Sequence, residues 1–159
     1  YNSDMTRSVP VNGKFTPRQR AVYESVLNMM TYAKKILRPG ILKSEYDRLV
    51  RVFAAGELVK LGLITPAQVA EKPSDPPIVR KYYMHGCSHF LGLDVHDVGE
   101  ANPVVLPGMV FTVEPGIYIA EEGIGIRLEN DVLIGETENI DLLGDVPLLP
   151  DDIERLMAR

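Results

Sequence analysis

The hydrophobic pattern of this chain changes its period at residues 72–77, a segment with three prolines. Before this segment, apolar residues recur every three to four positions, as in amphipathic helices. After it, short runs rich in Val, Ile, Tyr and Phe lie between Gly and Pro breaks, which is the pattern of strands. Helices followed by strands predict an α+β domain, with helices packed on an antiparallel sheet.

Local signals set the bounds of the predicted elements. Thr16-Pro17 begins a helix, because the hydroxyl caps free amides and proline suits the first helical position. Pro39-Gly40 ends it. A second helix is predicted over residues 43–61, and Thr65-Pro66 begins a short third one. The remaining predictions are a closing helix over 151–158, a surface loop over 72–77, and strands over 4–10, 80–84, 109–120 and 125–134.

Composition narrows the possible partners. The 159 residues fit one domain, and the net charge of -5 argues against a nucleic-acid-binding surface, which is normally basic. No apolar run approaches the roughly 20 residues that a membrane span needs, so no membrane partner is expected. The single cysteine, Cys87, cannot form an internal disulfide. A reducing compartment, and hence a cytoplasmic location, is the expectation.

Groups that bind metals or move protons are concentrated in three segments. The three histidines, His85, His89 and His96, lie within one stretch of twelve residues. Glu114 and Glu129 each lie in an apolar, strand-like run. Burying an unpaired carboxylate is costly, so each glutamate needs a cation or a hydrogen-bond donor nearby.

A purely structural interpretation of these residues stays open on this evidence. A histidine beside an apolar strand is commonly a structural residue, and Arg127 could neutralise Glu129. Asp97 and Glu100 have the pattern of loop carboxylates, and Asp131 that of a cap or turn residue. The residue types alone leave the metal-site and structural interpretations about equally favoured.

Two sharper alternatives fail on local chemistry. His85 and His89 have the spacing of a helical zinc motif, but Gly86 stands where that motif has glutamate, and glycine disfavours a helix. Cys87 near a histidine could be a thiol nucleophile. No base with an orienting partner is evident, however, and a single small cysteine in an apolar strand usually serves packing.

Four stretches of the chain resemble aminopeptidase P, in the proline-directed branch of the pita-bread metallopeptidases. The central stretch, residues 85–99, reads HGCSHFLGLDVHDVG. Residues 106–116 (LPGMVFTVEPG) and 125–131 (GIRLEND) match two later signatures in order and spacing. Residues 1–13 (YNSDMTRSVPVNG) resemble the strand that carries an aspartate ligand in this family.

The resemblance implies a site for two divalent ions, most often Mn²⁺. Asp4 and Glu129 would bridge both ions, and His89 and Glu114 would bind one of them. A carboxylate-rich site with one imidazole suits such hard-to-borderline ions. The family's remaining ligand, an aspartate upstream of Asp4, would precede Tyr1.

The resemblance also implies a reaction, which is removal of an N-terminal residue from a peptide whose second residue is proline. Glu114 would pass a proton from water to the leaving amine, and His85 and His96 would contact the substrate and stabilise its developing charge. Tyr118 and His85 would form the wall around proline, and Arg127 would hold the carboxylates in place. A prolidase-type dipeptidase and a non-catalytic pita-bread binding module remain the alternatives.

The resemblance gives residues 1–159 as a partial pita-bread catalytic domain, truncated at its N-terminal side, with helices on a curved antiparallel sheet. A truncated sheet exposes an unpaired edge, which invites pairing with another chain. We therefore expect a homo-oligomer, or association with the missing part of the domain.

Overall fold

A computed structural model describes residues 1–158 and confirms the α+β prediction. Within these residues four α-helices and five strands follow one another along the chain. The helices are α1 Pro17–Ile36, α2 Lys43–Lys60, α3 Pro66–Ala70 and α4 Pro150–Met157. The strands are β1 Val110–Val113, β2 Gly116–Ile119, β3 Ile124–Arg127, β4 Asn130–Leu133 and β5 Ile140–Asp141. Two short 3-10 helices span Pro77–Lys81 and Ala120–Glu122.

Helix α1 begins where the sequence predicts. The Thr16 hydroxyl accepts a hydrogen bond from the Gln19 amide, and the Gln19 side chain accepts one from the Thr16 amide. This reciprocal box satisfies two amides that the first turn leaves free. At the other end the Leu37 amide donates to Ala33, and the chain then turns at Gly40 with φ 89°.

The core lies between helices α1 and α2 and the strands. The two helices pack together, and the Tyr32 and Phe53 rings stack with centroids 4.2 Å apart at their contact. Apolar side chains of the helices meet those of the strands in one buried cluster. It includes Val22, Val26, Met30, Val50 and Leu58 from the helices and Phe111, Val113, Ile117 and Ile126 from the strands.

The strands form two small antiparallel sheets, ordered β1-β4-β5 and β2-β3. Val113 pairs with Asn130 in the first sheet, and Gly116 pairs with Arg127 in the second. Continuing either register brings residue 114 opposite residue 129. The two sheets are therefore halves of one long hairpin, interrupted where Pro115 cannot donate to a ladder. Both glutamates of interest lie in that interruption.

Two predicted strands are wrong. Residues 80–84 do not form a strand, because Pro76 and Pro77 initiate a 3-10 helix that packs against α2 and buries Val79. Residues 4–10 make only an isolated bridge between Thr6 and Glu129. Since Glu129 lies in the interruption between β3 and β4, this pairing does not propagate into a ladder.

The structural interpretation of Asp131 as a cap or turn residue, left open by the sequence, is wrong. Asp131 lies within β4, opposite Thr112, and is 2% exposed. In the described part of the chain, no helix is both long and apolar enough to cross a lipid bilayer.

Candidate metal centre

Three potential ligands from distant parts of the chain converge at the interruption of the hairpin. Asp4 precedes α1, His89 lies in the loop before β1, and Glu129 lies between β3 and β4. One donor atom from each lies within 4.8 Å of the other two. Donors that share one ion through bonds of about 2.0–2.2 Å lie at most about 4.4 Å apart, so small movements of these side chains would bring all three onto a single ion.

Glu114 completes the cluster through His89. The His89 Nε2 atom lies 3.5 Å from Asp4 Oδ2 and 3.5 Å from Glu114 Oε1. Its other nitrogen, Nδ1, lies 2.9 Å from the Phe90 carbonyl oxygen. A carbonyl only accepts, so in the neutral ring the proton is on Nδ1. The lone pair of Nε2 therefore faces the carboxylates, as a metal-binding imidazole requires.

Strand β1 holds the histidine loop in place. The His89 amide donates to the Thr112 hydroxyl (3.1 Å), and the Thr112 amide donates to the His89 carbonyl (3.0 Å). Two residues away, the Glu114 amide donates to the Cys87 carbonyl (2.8 Å). Glu114 and His89 are therefore positioned by the same backbone pairing.

Glu129 is the most deeply buried carboxylate of the cluster, with 1% exposure. Its Oε2 accepts a hydrogen bond from the Thr6 hydroxyl, and its Oε1 is buried without a hydrogen-bond partner among residues 1–158. Burial raises the pKa of Glu129, and the charges of Glu114 and Asp4 raise it further, against the Thr6 hydrogen bond. A buried oxygen without a donor is the kind of atom that a cation would satisfy.

Arg127 makes two long ion pairs with this cluster. Its Nη1 is 3.9 Å from Glu114 and its Nε is 3.8 Å from Glu129, and the side chain is 44% exposed. The Nε atom donates instead to the Thr6 hydroxyl (3.0 Å), which in turn donates to Glu129. Arg127 is at ion-pair distance from two of the three carboxylates, and Asp4 has no arginine or lysine within 4.0 Å among residues 1–158, so negative charge is left in excess. The donor set of carboxylates and one imidazole fits a hard-to-borderline divalent ion.

The remaining predicted site residues surround this cluster. The His85 Nδ1 atom contacts the Gly86 carbonyl (2.7 Å), so Nδ1 donates, and Nε2 accepts from the Tyr118 hydroxyl (2.8 Å). Burial raises the pKa of Tyr118, which keeps this hydroxyl protonated. The exposed His96 stacks its ring on that of His89.

A cavity of about 390 Å³ opens at the His89 and Glu114 side of the cluster. Tyr118 does not line this cavity, but its hydroxyl donates a hydrogen bond to His85, which does. A neighbouring cavity of about 350 Å³, between the histidine loop and α2, shares Ser88, His89 and His96 with the first. The lining residues of the first cavity are His85, Gly86, Ser88, His89, His96, Glu114 and Arg127.

Two residues of the site were missed from the sequence. Thr6 bonds Glu129, and Asp131 accepts a hydrogen bond from the Asp4 amide. In extended chain, alternate residues lie on one side. Thr6 stands two residues after Asp4, and Asp131 two residues after Glu129, so the period of two was the signal that would have found both.

The family assignment follows from the length of the match. The family model described as metallopeptidase family M24 matches residues 1–136, more than half of the chain and all four converging residues. The chain belongs to metallopeptidase family M24. Membership of M24 implies divalent metal ions, and Asp4, His89 and Glu129 could form a site for them.

Similar proteins agree in sequence and in fold. In an alignment 177 positions long, this chain is 43% identical to the Xaa-Pro aminopeptidase of Escherichia coli. The alignment covers 99% of this chain and 38% of that protein. The Yersinia pestis proline aminopeptidase P II superposes with a TM-score of 0.87 at 43% identity, covering 98% of this chain and 38% of that one. A zinc-substituted E. coli aminopeptidase P in complex with product superposes with a TM-score of 0.86 at 41% identity, with the same coverage.

These matches confirm the expected resemblance to aminopeptidase P and the expected pita-bread fold. The chain spans about 38% of the length of these relatives.

Proposed function

We propose that the protein carrying this M24 chain is a metal-dependent Xaa-Pro aminopeptidase, and that residues 1–159 are part of its pita-bread catalytic domain. The observation that carries the proposal is the convergence of His89 with Asp4, Glu114 and Glu129 around negative charge that Arg127 leaves uncompensated. The names of the similar proteins support the choice of substrate class.

The four converging residues would hold the metal. Asp4, His89, Glu114 and Glu129 would together hold two divalent ions, and Mn²⁺ is the ion we expect. When bound, such ions lower the pKa of a coordinated water and polarise the peptide carbonyl. The Nε2 lone pair of His89 and the unpartnered Oε1 of Glu129 are the atoms already prepared for coordination.

Glu114 is the residue that we propose moves the proton. It lines the cavity, and its Oε1 lies beside His89 while its Oε2 faces Arg127 at 3.9 Å. A carboxylate at the boundary between the ligands and the open cavity can take a proton from the attacking water. It can then return this proton to the amine that leaves as the peptide bond breaks.

The histidines and Tyr118 would recognise the peptide. His96 and His85 both line the cavity. A ring nitrogen of His96 can donate to the carbonyl oxygen on which charge develops. Both ring nitrogens of His85 are engaged by Gly86 and Tyr118, so His85 contributes its ring to the cavity wall. Tyr83, His85 and Tyr118 form an aromatic group, with His85 edge-on to both tyrosines at centroid distances of 5.1 and 5.4 Å. His85 is the member of this group that lines the cavity, and its aromatic ring suits contact with an apolar, ring-shaped residue such as proline. Arg127 would orient the carboxylates through Thr6.

The proposal is tested with the full-length protein, stripped of metal and reloaded with Mn²⁺. We expect release of the first residue from Ala-Pro-Ala and little release from Ala-Ala-Ala. If the dipeptide Ala-Pro is cleaved and the two tripeptides are not, the protein is a prolidase. If none of the three peptides is cleaved, the peptidase proposal is wrong. The variant H89A should abolish Mn²⁺-dependent cleavage, whereas E136Q, in an exposed loop, should leave it unchanged. Self-association and a cytoplasmic location stay predictions from the sequence.

A further inference from the structure

Asp131 ties the N-terminal segment of the chain to strand β4. Its Oδ2 atom accepts a hydrogen bond from the backbone amide of Asp4 at 3.1 Å. The side chain belongs to a residue that is 2% exposed, and its Oδ1 is buried without a hydrogen-bond partner among residues 1–158. A buried carboxylate in this state is costly, so its presence calls for a role beyond packing.

A second anchor holds the same segment three residues further on. Arg7 donates through Nη1 to the Glu129 carbonyl (2.7 Å) and through Nη2 to the Asn130 side chain (2.7 Å). Asn130 is itself fixed by two hydrogen bonds to Asp141, which pairs with Lys34 of α1 at 2.8 Å. Arg7 therefore attaches the segment to β4 at a point three residues from Asp4, whereas Asp131 contacts the Asp4 backbone itself.

Side chains along β4 and the residue before it alternate between two faces, so Asp131 and the Arg7 partner Asn130 lie on opposite faces. Asn130 contacts Arg7 and Asp141, whereas Glu129 and Asp131, one residue to either side, contact the segment at Thr6 and Asp4. A strand directs alternate side chains to one face, so the spacing of two puts both carboxylates on the face that carries the ligands. Glu129 offers its oxygens to the candidate centre, and Asp131 holds the backbone of the opposing ligand.

We propose that Asp131 is a positioning residue that fixes the Asp4 backbone, and thereby sets the distance of the Asp4 carboxylate from His89 and Glu129. The proposal rests on the metal centre proposed above. Asp131 acts through its hydrogen bond and not through its charge, because the group of Asp4 that it contacts is a backbone amide and not a cation. Groups that orient metal ligands typically contribute about 10- to 100-fold to metal affinity.

Three substitutions in the full-length protein separate the hydrogen bond from the charge. D131N removes the charge but keeps an oxygen that can accept from the Asp4 amide. D131E keeps the charge but moves the oxygens by one methylene, and D131A removes both. We expect Mn²⁺ affinity, measured by calorimetry on the metal-free protein, to fall about tenfold or more in D131E and D131A and less than about threefold in D131N.

Hydrogen exchange gives a readout that does not depend on metal. Exchange of the peptide covering residues 1–8, measured by mass spectrometry, should quicken in D131E and D131A and stay at the wild-type rate in D131N. Should D131A fail to fold, the comparison of D131N with D131E decides. The matched control is E57A, which removes another buried carboxylate, 2% exposed and paired with Lys60 on α2. It should leave both readouts unchanged.

Equal losses in D131N and D131E, or wild-type behaviour in all three variants, would overturn the positioning role. If the wild-type protein binds no Mn²⁺, the proposed metal centre fails, while the exchange measurement still tests whether Asp131 holds Asp4. If the wild type binds Mn²⁺ and cleaves Ala-Pro-Ala but the variants do not differ from it, only the present inference fails.

Discussion

His96 stacks on His89, with ring centroids 4.0 Å apart and planes inclined by 13°. His89 is thus fixed by its Nδ1 contact to Phe90, by its backbone pairing with Thr112 and by the face of a second imidazole. The stack also places His96 at the rim of both cavities. The same residue can therefore orient the candidate ligand and contact the peptide.

Substitution of His96 separates these two roles. H96F keeps a ring for stacking but lacks a hydrogen-bond donor, so we expect Mn²⁺ affinity close to wild type and a fall in kcat of about 10²-fold or more. H96A should lower kcat similarly and also weaken Mn²⁺ binding. Steady-state kinetics at saturating metal, with calorimetry on both variants, checks this. Near-wild-type kcat in H96F would rule out the donor role.

Replacement of Glu114 by Gln removes the proton carrier and weakens one ligand. We expect kcat/KM on Ala-Pro-Ala to fall by about 10²–10⁴-fold even at saturating Mn²⁺, because positioned acid–base groups contribute about that much. E121Q is the control, since Glu121 is exposed and pairs with Lys81 on the surface. Retention of more than a tenth of the activity in E114Q would contradict the proposed role.

The burial of Glu129 makes the metal-free protein sensitive to pH. Its folded-state pKa is raised above the ordinary value of 4.5, mainly by burial. The carboxyl proton of Glu129 is therefore bound more tightly in the folded state than in the unfolded chain. The protonated carboxyl stabilises the fold below the ordinary pKa, and this stabilisation is lost as pH rises through the folded-state pKa. At about pH 7.5 the melting temperature of metal-free E129Q should be higher than that of the metal-free wild type. This difference in melting temperature should shrink to near zero towards about pH 4.

Metal addition provides the control for this pH experiment. Mn²⁺ should raise the melting temperature of the wild type at about pH 7.5, because a ligand of the folded state stabilises it by mass action. The rise should be smaller in E129Q. A difference between the metal-free proteins that stays constant with pH would show that Glu129 is not the titrating group.

The capping box of α1 predicts a local contribution to stability. T16A should lower the free energy of unfolding by about 1 kcal/mol, because the Gln19 amide loses its acceptor. T65A removes the equivalent cap of α3, a helix of five residues with none buried. Urea unfolding should show a smaller loss for T65A. Equal losses of unfolding free energy in T16A and T65A would mean that a cap on a buried helix contributes no more stability than a cap on an exposed one.

Cys87 is expected to be unreactive in the folded protein. It is buried, receives a hydrogen bond from the Tyr46 hydroxyl (3.4 Å), and burial raises its pKa to about 11. Thiol alkylation uses the thiolate, so iodoacetamide near neutral pH should modify the native protein far more slowly than the urea-unfolded protein. Rapid modification of the native protein would revive the thiol-nucleophile alternative.

The helices were predictable because their signals are local. Thr16-Pro17 and Thr65-Pro66 contain the cap and the first helical residue side by side, and the structure begins α1 and α3 there. The strand predicted over 80–84 failed for a non-local reason. Tyr82 and Tyr83 are apolar enough for a strand, but they are buried beside α2 after a proline-initiated 3-10 turn.

The sequence by itself determined the residue types of the site and the segments that carry them, because a carboxylate in an apolar strand and a histidine-rich loop are visible without coordinates. Tertiary structure decided which of them meet. Glu114 and Glu129 face each other only through the register of one interrupted hairpin, and Asp4 reaches them through long-range contacts of its segment, among them the hydrogen bonds that Asp131 accepts and Arg7 donates. Register and long-range hydrogen bonds depend on packing between distant segments, which no local pattern encodes.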